Sequence, residues 1–499
     1  MNNYLTEEKE INYLWLENAI VIEANPDIKF NLMKRKIFLL LIIQTLFSIE
    51  TIFGQIIFQK TFGGTGDEYG WSIQQTTDGG YVNAGYTSSF GAGDYDVYLI
   101  KINDNGDSLW TKTFGGTGTD NGLSVHQTTD GGYIITGSTN SYGAGDHDVY
   151  LIKTDTIGDT WWTKTFGGTN RDEGYSVQQT TDGGYIIAGV TYSFGAGYSD
   201  AYLIKTGING DTLWTRTFGG TGSDGGRSVQ QTTDGGYIIT GYTSSFGTGS
   251  GDVYLIKANG NGNSLWTKTF GGTNMDLGYC VQQTTDGGYI IVGATISFGA
   301  GSDDVYLIKT NSIGNLIWSK TFGGTLGNGG FSVQQTTDGG YIITGYAPNI
   351  AQGTQKVYLI RTDINGDSLW TKVFNGIMAE GGNSVTETTD GGFIITGLTV
   401  SFGAGVADVY LIKTDSLGNS GCNEGSTATI VTTPATQVTT PATIVTSPPT
   451  IVTSPATVAG SGGIATTLCT IVGIQSTITN PKAEITVSPN PFSNEINFS

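Results

Sequence analysis

The residues of this sequence that could carry chemistry are a recurring set of carboxylates, two histidines and three cysteines. The carboxylates fall into two columns. Glu68, Asp120, Asp172, Asp224, Asp276 and Glu380 form one, and Asp96, Asp148, Asp200, Asp252, Asp304 and Asp408 the other. A catalytic site needs each group once, in one asymmetric pocket. Acids that recur so evenly are therefore read as acceptors that brace Gly-rich loops through backbone N–H groups, with weak cation binding as the competing reading. The turn Asp104-Asn105-Gly106-Asp107 has a faint likeness to a calcium loop but lacks the spaced ligands and the closing Glu. His126 stands where other copies keep Gln (Gln74, Gln178, Gln230, Gln282, Gln334), and His147 lies in a loop. Neither belongs to a metal spacing or a nucleophilic triad. The glycines punctuate strands and open no helix, so no phosphate-cradling loop is credible. No catalytic residue, metal site or cofactor is expected.

Binding is what the residue types leave open. One position beside an unvarying glycine changes freely: Trp71, Leu123, Tyr175, Arg227, Tyr279, Phe331 and Asn383. A second varies at Tyr95, His147, Ser199, Gly251, Asp303, Gln355 and Ala407, and the sixth copy is remodelled there as Asn349-Ile350-Ala351-Gln352-Gly353. Both positions are assigned to loops on one face. A constant frame with variable, aromatic-bearing loops is how a binding surface is built; drift at exposed positions is the alternative. The ligand-binding candidates are Trp71, Tyr95, His147, Tyr175, Arg227, Tyr279 and Phe331.

The frame that must hold these positions is an internal repeat. Phe62, Phe114, Phe166, Phe218, Phe270, Phe322 and Phe374 step by 52 residues, as do Asp78, Asp130, Asp182, Asp234, Asp286, Asp338 and Asp390. Each unit contains four β-rich runs, in the second copy 124–128, 133–137, 148–153 and 161–166. The first two are joined through Asp130-Gly131, read as a type I′ hairpin turn. Four antiparallel strands in about 50 residues make a propeller blade. The seventh copy stops after its third strand, 408–413, and the missing fourth appears ahead of the first copy at 56–62. That exchange makes sense only in a closed ring, which removes the ends an open array must cap. The fold expected is an all-β, seven-bladed β-propeller of 52-residue, four-stranded blades, closed by its N-terminal strand and followed by a disordered Thr/Pro-rich tail.

Trp110, Trp162, Trp214, Trp266, Trp318 and Trp370 are expected to pack between blades. Lys60, Lys112, Lys164, Arg216, Lys268, Lys320 and Lys372 are expected to guard the outer strand edges by charge. Through Gly-Gly-Thr-Gly-x-Asp-x-Gly, Asp-Gly-Gly-Tyr, Gly-x-Thr, Asp-Val-Tyr-Leu-Ile-Lys and Leu-Trp-Thr-Lys-Thr, residues 55–415 resemble the bacterial β-propeller repeat family of secreted and cell-surface proteins. That resemblance implies a fold and no shared catalytic activity.

Composition agrees. Seventy-eight glycines and only 13% charged residues suit short strands and tight turns rather than helices. A net charge of −20 excludes nucleic acid and anionic membranes as natural partners. Met33, the basic Lys34-Arg35-Lys36 and the apolar run 37–47 read as a secretory signal peptide over 33–54, with 1–32 a mis-assigned start. The run is too short and interrupted to anchor the mature chain in a membrane.

After the propeller (55–421), residues 422–480 read as a Thr/Pro/Val-rich linker. Four seven-residue units begin at Val431, each with Pro at its fourth position (Pro434, Pro441, Pro448, Pro455), and those prolines forbid a coiled coil. The unit reads as an extended spacer. Cys422 and Cys469 bracket it and could pair in an oxidising compartment, whereas Cys280 replaces a repeat serine as a small buried residue. Ile485-Thr486-Val487-Ser488-Pro489-Asn490-Pro491-Phe492 resembles the opening of the C-terminal sorting domain read by type IX secretion in Gram-negative bacteria, here 481–499 and truncated. The sequence thus predicts a monomeric, non-enzymatic binding or adhesion module, secreted or on the outer cell surface. It presents a loop face to a glycan or protein and meets the secretion machinery through its C-terminus. An extracellular polysaccharide hydrolase or lyase acting on the same face is the alternative.

Overall fold

The computed structural model describes residues 15–16, 19–20, 55–349, 352–427, 429–447, 450–453 and 457–472. The chain divides into two units. In the first (Met1–Gly54 with Ile474–Ser499), Trp15–Leu16 pairs antiparallel with Ala19–Ile20. The signal-peptide and sorting-domain assignments lie outside the described residues.

The second unit, Gln55–Gly473, is the ring. Blade 1 is built from Glu68–Gln75, Tyr81–Thr87, Asp96–Ile102 and Ser108–Gly115, and blades 2 to 6 repeat that antiparallel order. Blade 7 joins Glu380–Glu387, Phe393–Thr399 and Asp408–Thr414 to Ile56–Gly63, with Phe58 opposite Lys413 and Phe62 opposite Val409. The N-terminal strand therefore closes the ring as its sequence requires.

The core lies between blades, because each sheet is apolar on both faces. One cluster joins Val149, Leu151 and Phe166 of blade 2 to Val177, Tyr185 and Ile187 of blade 3. Each fourth-strand Trp meets the second-strand aromatic of the next blade, as in Trp110–Tyr133 and Trp162–Tyr185, with centroids 5.8 and 5.9 Å apart. The third-strand lysines are buried against the Asp-Gly turns of their own blade: Lys153 Nζ lies 3.0 Å from Asp130, and Lys257 Nζ 3.0 Å from Asp234. In those turns Gly131 has φ 83° while Asp130 stays out of the left-handed region. A single glycine turns the chain within a five-residue loop, so the type I′ assignment, which needs two such residues, does not hold.

The larger correction concerns the tail. Each blade carries a fifth strand, and that strand comes from the Thr/Pro segment. Glu424–Gly425 adds to blade 6, Ile430–Thr432 to blade 5, Gln437–Thr439 to blade 4 and Ile444–Thr446 to blade 3. Ile451–Thr453 then adds to blade 2, Val458–Gly460 to blade 1 and Ile464–Val472 to blade 7. Over the described residues, the segment read as a disordered linker is a belt that circles the ring against the blade order.

Successive paired triplets lie seven residues apart on successive blades, and seven extended residues can span at most about 23–25 Å. Three of the seven pair, and Pro434 and Pro441 fall between paired triplets, where no ladder N–H is needed. The register is fixed by side chains too. Thr165, Thr217, Thr269 and Thr321 each meet a belt threonine (Thr453, Thr446, Thr439, Thr432) at 2.6 Å between hydroxyls. Buried third-strand tyrosines reach the belt as well: Tyr306 bonds Thr436, and Tyr358 bonds Thr429, both at 2.5 Å.

Lys60, Lys112, Lys164 and Lys320 do not guard free edges, because the belt covers those edges. They bridge to the next blade's outer turn, Lys60 to Asp107 at 2.7 Å and Lys112 to Asp159 at 2.8 Å. At the closure, Gln59 stands where other blades carry Thr or Ser. Fully buried, it accepts from Tyr410 at 2.5 Å and Asn423 at 3.0 Å and donates to Cys422 O. Cys422 and Cys469 form a disulfide.

Candidate functional site

The freely varying position beside the constant glycine is not in a loop. In every blade it is a β-bulge in the innermost strand: the register with the second strand slips across Trp71, Leu123, Tyr175, Arg227, Tyr279, Phe331 and Asn383. A bulge leaves its residue unpaired and re-aims the side chain. Seven bulges around one axis aim seven side chains at one place. All seven line a depression of about 460 Å³ at the axial end of the ring, together with Tyr86, Asn121, Ser138 and Glu173. The opposing glycine of the second strand makes the bulge possible. A Cβ on Gly137 would lie 1.7 Å from Asn121 O, and one on Gly189 1.8 Å from Glu173 O.

Five of the seven candidate residues therefore converge: Trp71, Tyr175, Arg227, Tyr279 and Phe331. Tyr95 and His147 are not among the lining residues. Their loop stitches neighbouring blades through backbone, Asp120 N donating to Tyr95 O at 2.8 Å and Asp172 N to His147 O at 2.7 Å. Tyr95 stacks edge-on against Tyr86, 5.4 Å between centroids, and its hydroxyl lies 3.3 Å from Asp67. His147 Nδ1 lies 3.5 Å from Asp146.

No family model matches the chain. Over 157 residues it is 27% identical to the regulatory protein FlaEY of Caulobacter vibrioides, an alignment that covers 26% of this chain and 16% of that one. The chain thus spans about a sixth of that relative's length. Among solved structures it is similar to Sqt1 from Chaetomium thermophilum, at 9% identity and a TM-score of 0.41 over 67% of this chain and 81% of that one. It is also similar to an endo-1,5-α-L-arabinanase from Thermotoga petrophila, at 12% identity and a TM-score of 0.27 over 71% and 99%. The site must be read from its own residues.

Asymmetry is what an almost perfectly repeated ring lacks, and it gathers between blades 3 and 4. Arg171, Glu173 and Tyr175 follow one another at alternate positions, where blade 4 has Ser223, Gly225 and Arg227. Glu173 accepts from Arg171 at 2.6 Å through Oε1 and from the Tyr175 hydroxyl at 2.5 Å through Oε2. The Arg227 guanidinium lies 4.0 Å over the Tyr175 ring and 5.7 Å from that of Tyr242. Tyr279 and Phe331 meet edge-to-face at 5.1 Å, Phe331 and Tyr346 at 5.6 Å. Asn383 donates to Gly70 O at 2.8 Å, and Trp71 lies 6.5 Å from Tyr86.

Sequence reasoning missed Tyr86, Asn121, Ser138 and Glu173 as site residues, although a signal existed. Asn121 and Glu173 sit two residues ahead of the bulge, on the same strand face. Ser138 is the cross-strand partner of Asn121.

The recurring acids act as braces. Asp120 Oδ2 accepts from Gly116 N at 2.8 Å and Ser141 Oγ at 2.6 Å, and Asp96 Oδ2 accepts from Ala92 N and Gly93 N at 2.9 and 3.0 Å. Among the described residues, no group of three or more His, Cys, Asp or Glu side chains is arranged to hold a metal ion. Likewise, no described helix is long and apolar enough to cross a membrane. Cys280 is half-buried rather than buried, its thiol 3.7 Å from Val333 O and pushed up in pKa by desolvation.

Proposed function

We propose that the ring is a non-enzymatic binding module, secreted or displayed on the outer cell surface, whose axial depression takes part of a glycan. The observation that carries this reading is the convergence of seven bulge residues on one depression that mixes aromatic rings with amides, a carboxylate and a guanidinium. Sugar rings offer an apolar C–H face to stack on an aromatic and hydroxyls for side-chain amides and charges. A depression of about 460 Å³ matches a small-ligand site. Glu173 is the one carboxylate lining it, whereas glycoside hydrolysis ordinarily uses two; this favours retention over turnover.

The test is a glycan array probed with the full chain, followed by calorimetry on the hits. Binding that falls at least tenfold in Tyr279→Ala and Phe331→Ala, with melting temperature preserved, is the expected result. A wild type that binds no glycan and instead captures a protein through this face overturns the reading, and product release from a bound polysaccharide overturns its non-enzymatic part.

A further inference from the structure

The depression contains one positive charge that the protein leaves uncompensated. Arg171 and Arg227 are the two arginines near it, and they differ in partner. Arg171 is spent on Glu173, whose second oxygen is taken by the Tyr175 hydroxyl. Glu173 therefore has both oxygens engaged and its charge balanced before Arg227 is counted. Arg227 has no ion pair among the described residues, and its Nε is buried without a hydrogen-bond acceptor. Its guanidinium is held between the rings of Tyr175 and Tyr242, which fix the plane of the fork but supply no acceptor. None of the other six bulge residues is charged, so the repeat does not explain this cation.

A guanidinium is weakly hydrated, always charged and shaped to take a planar carboxylate by two parallel hydrogen bonds. Resting on the glycan reading above, we infer that the ligand is a carboxylated saccharide, with a uronate carboxylate on Arg227 and its sugar ring against the Tyr279–Phe331 side of the depression. The net charge of −20 repels dense polyanions at low salt. Selectivity is therefore directed at the single acidic residue that reaches Arg227, not at charge density along a chain.

The experiment is calorimetry of the full chain with oligogalacturonate, oligomannuronate and a glucuronate-ended disaccharide, each beside its carboxyl-reduced neutral counterpart and a sulfated neutral analogue. The expected result is at least tenfold tighter binding of one uronate than of its reduced form, with the sulfated analogue no better than the reduced one. Arg227→Gln abolishes that preference by bringing the acidic sugar down to the affinity of its reduced form in the same variant, whereas Tyr279→Ala weakens both forms alike. Equal binding of the acidic and reduced sugars, or a preference that survives Arg227→Gln, overturns the inference while leaving the glycan reading intact. Preference for the sulfated form replaces carboxylate recognition by general anion recognition and overturns it too. Absence of all saccharide binding overturns both.

Discussion

Cys422 and Cys469 are joined by a disulfide with Cα atoms 6.4 Å apart and a sequence separation of 47, and between them the chain visits every blade of the ring. The bond therefore closes a covalent hoop around the propeller. Without it the belt from blade 6 to blade 1 is held by ladders of two or three residues, each too brief to persist alone, whereas Ile464–Val472 pairs at length with Ile56–Gly63. In the chain-entropy view, cross-linking a loop of this length stabilises by about 4 kcal/mol, with measured effects commonly 2–4. Reduction, or Cys422→Ser with Cys469→Ser, should lower the melting temperature and open the belt to proteases while blades 1 to 7 stay protected. Limited proteolysis read by mass spectrometry checks this. Cleavage spread evenly over ring and belt would contradict the hoop.

The belt's register should be measurable at a single pair. Tyr306 is fully buried, and its hydroxyl meets Thr436, which also meets Ser319 Oγ at 2.8 Å. Tyr306→Phe and Thr436→Val should each cost about 1 kcal/mol. In the double mutant the costs should fall short of additive by at least 0.5 kcal/mol, as expected for groups in contact. Strict additivity in denaturant titrations would place Thr436 elsewhere.

Much of this molecule was legible in its sequence. The 52-residue step and the Trp column identify the blades, because they are local patterns repeated seven and six times, and the exchange of strand 56–62 for the missing fourth strand closes the blades into a ring. The belt was not legible, because its strands from Glu424 to Gly460 are two or three residues long and interrupted by Pro434 and Pro441, a pattern that on local grounds reads as unpaired chain. Its partner is the whole ring, and nothing in the segment's own composition discloses the match between a seven-residue step and a blade spacing. The site was half legible. Variation at Trp71, Tyr175, Arg227, Tyr279 and Phe331 marked the right column, while Tyr95 and His147 belong to a column in which the backbone carbonyl, not the side chain, makes the recurring blade-to-blade bond.

The bulges should be intolerant of any Cβ on the glycine that faces them. Gly189→Ala places a methyl 1.8 Å from Glu173 O, a backbone atom that cannot move without dragging Glu173 and Tyr175. A loss on the order of 3 kcal/mol is expected, with ligand binding lost along with it. Gly381→Ala is the matched control, since its Cβ meets nothing nearer than Leu398 Cδ2 at 3.9 Å. Equal melting temperatures for the two variants would refute the close-approach account.

Stability should peak in mildly acidic solution. Burial, with the charge of Asp224 adding to it, pushes Asp200 up to about 6 despite backbone N–H bonds from Gly197 and Ala196. Asp96, Asp148, Asp252 and Asp408 are raised for the same main reason, burial. A carboxyl raised in the folded state binds its proton more tightly there than in the unfolded chain, so stability falls as pH rises from about 4 through about 6. The turn aspartates act in the opposite sense. Burial opposes it, but hydrogen bonds from Thr232, Gly236 and Lys257 hold Asp234 down at about 2, and Lys309, Thr284 and Gly288 do the same for Asp286. Their contribution is present above an unfolded value near 4 and is lost as pH falls toward 2. The two sets together place the maximum between about pH 4 and 5. The isoelectric point near 4.3 acts in the same direction by removing self-repulsion, so a pH scan of the wild type cannot separate the causes and the variants must. In scanning calorimetry from pH 2 to 8, Asp200→Asn should flatten the limb above pH 5, and Asp234→Asn the limb below pH 4. A wild-type maximum at or above pH 7, or limbs unchanged in both variants, would show that these aspartates do not set the profile.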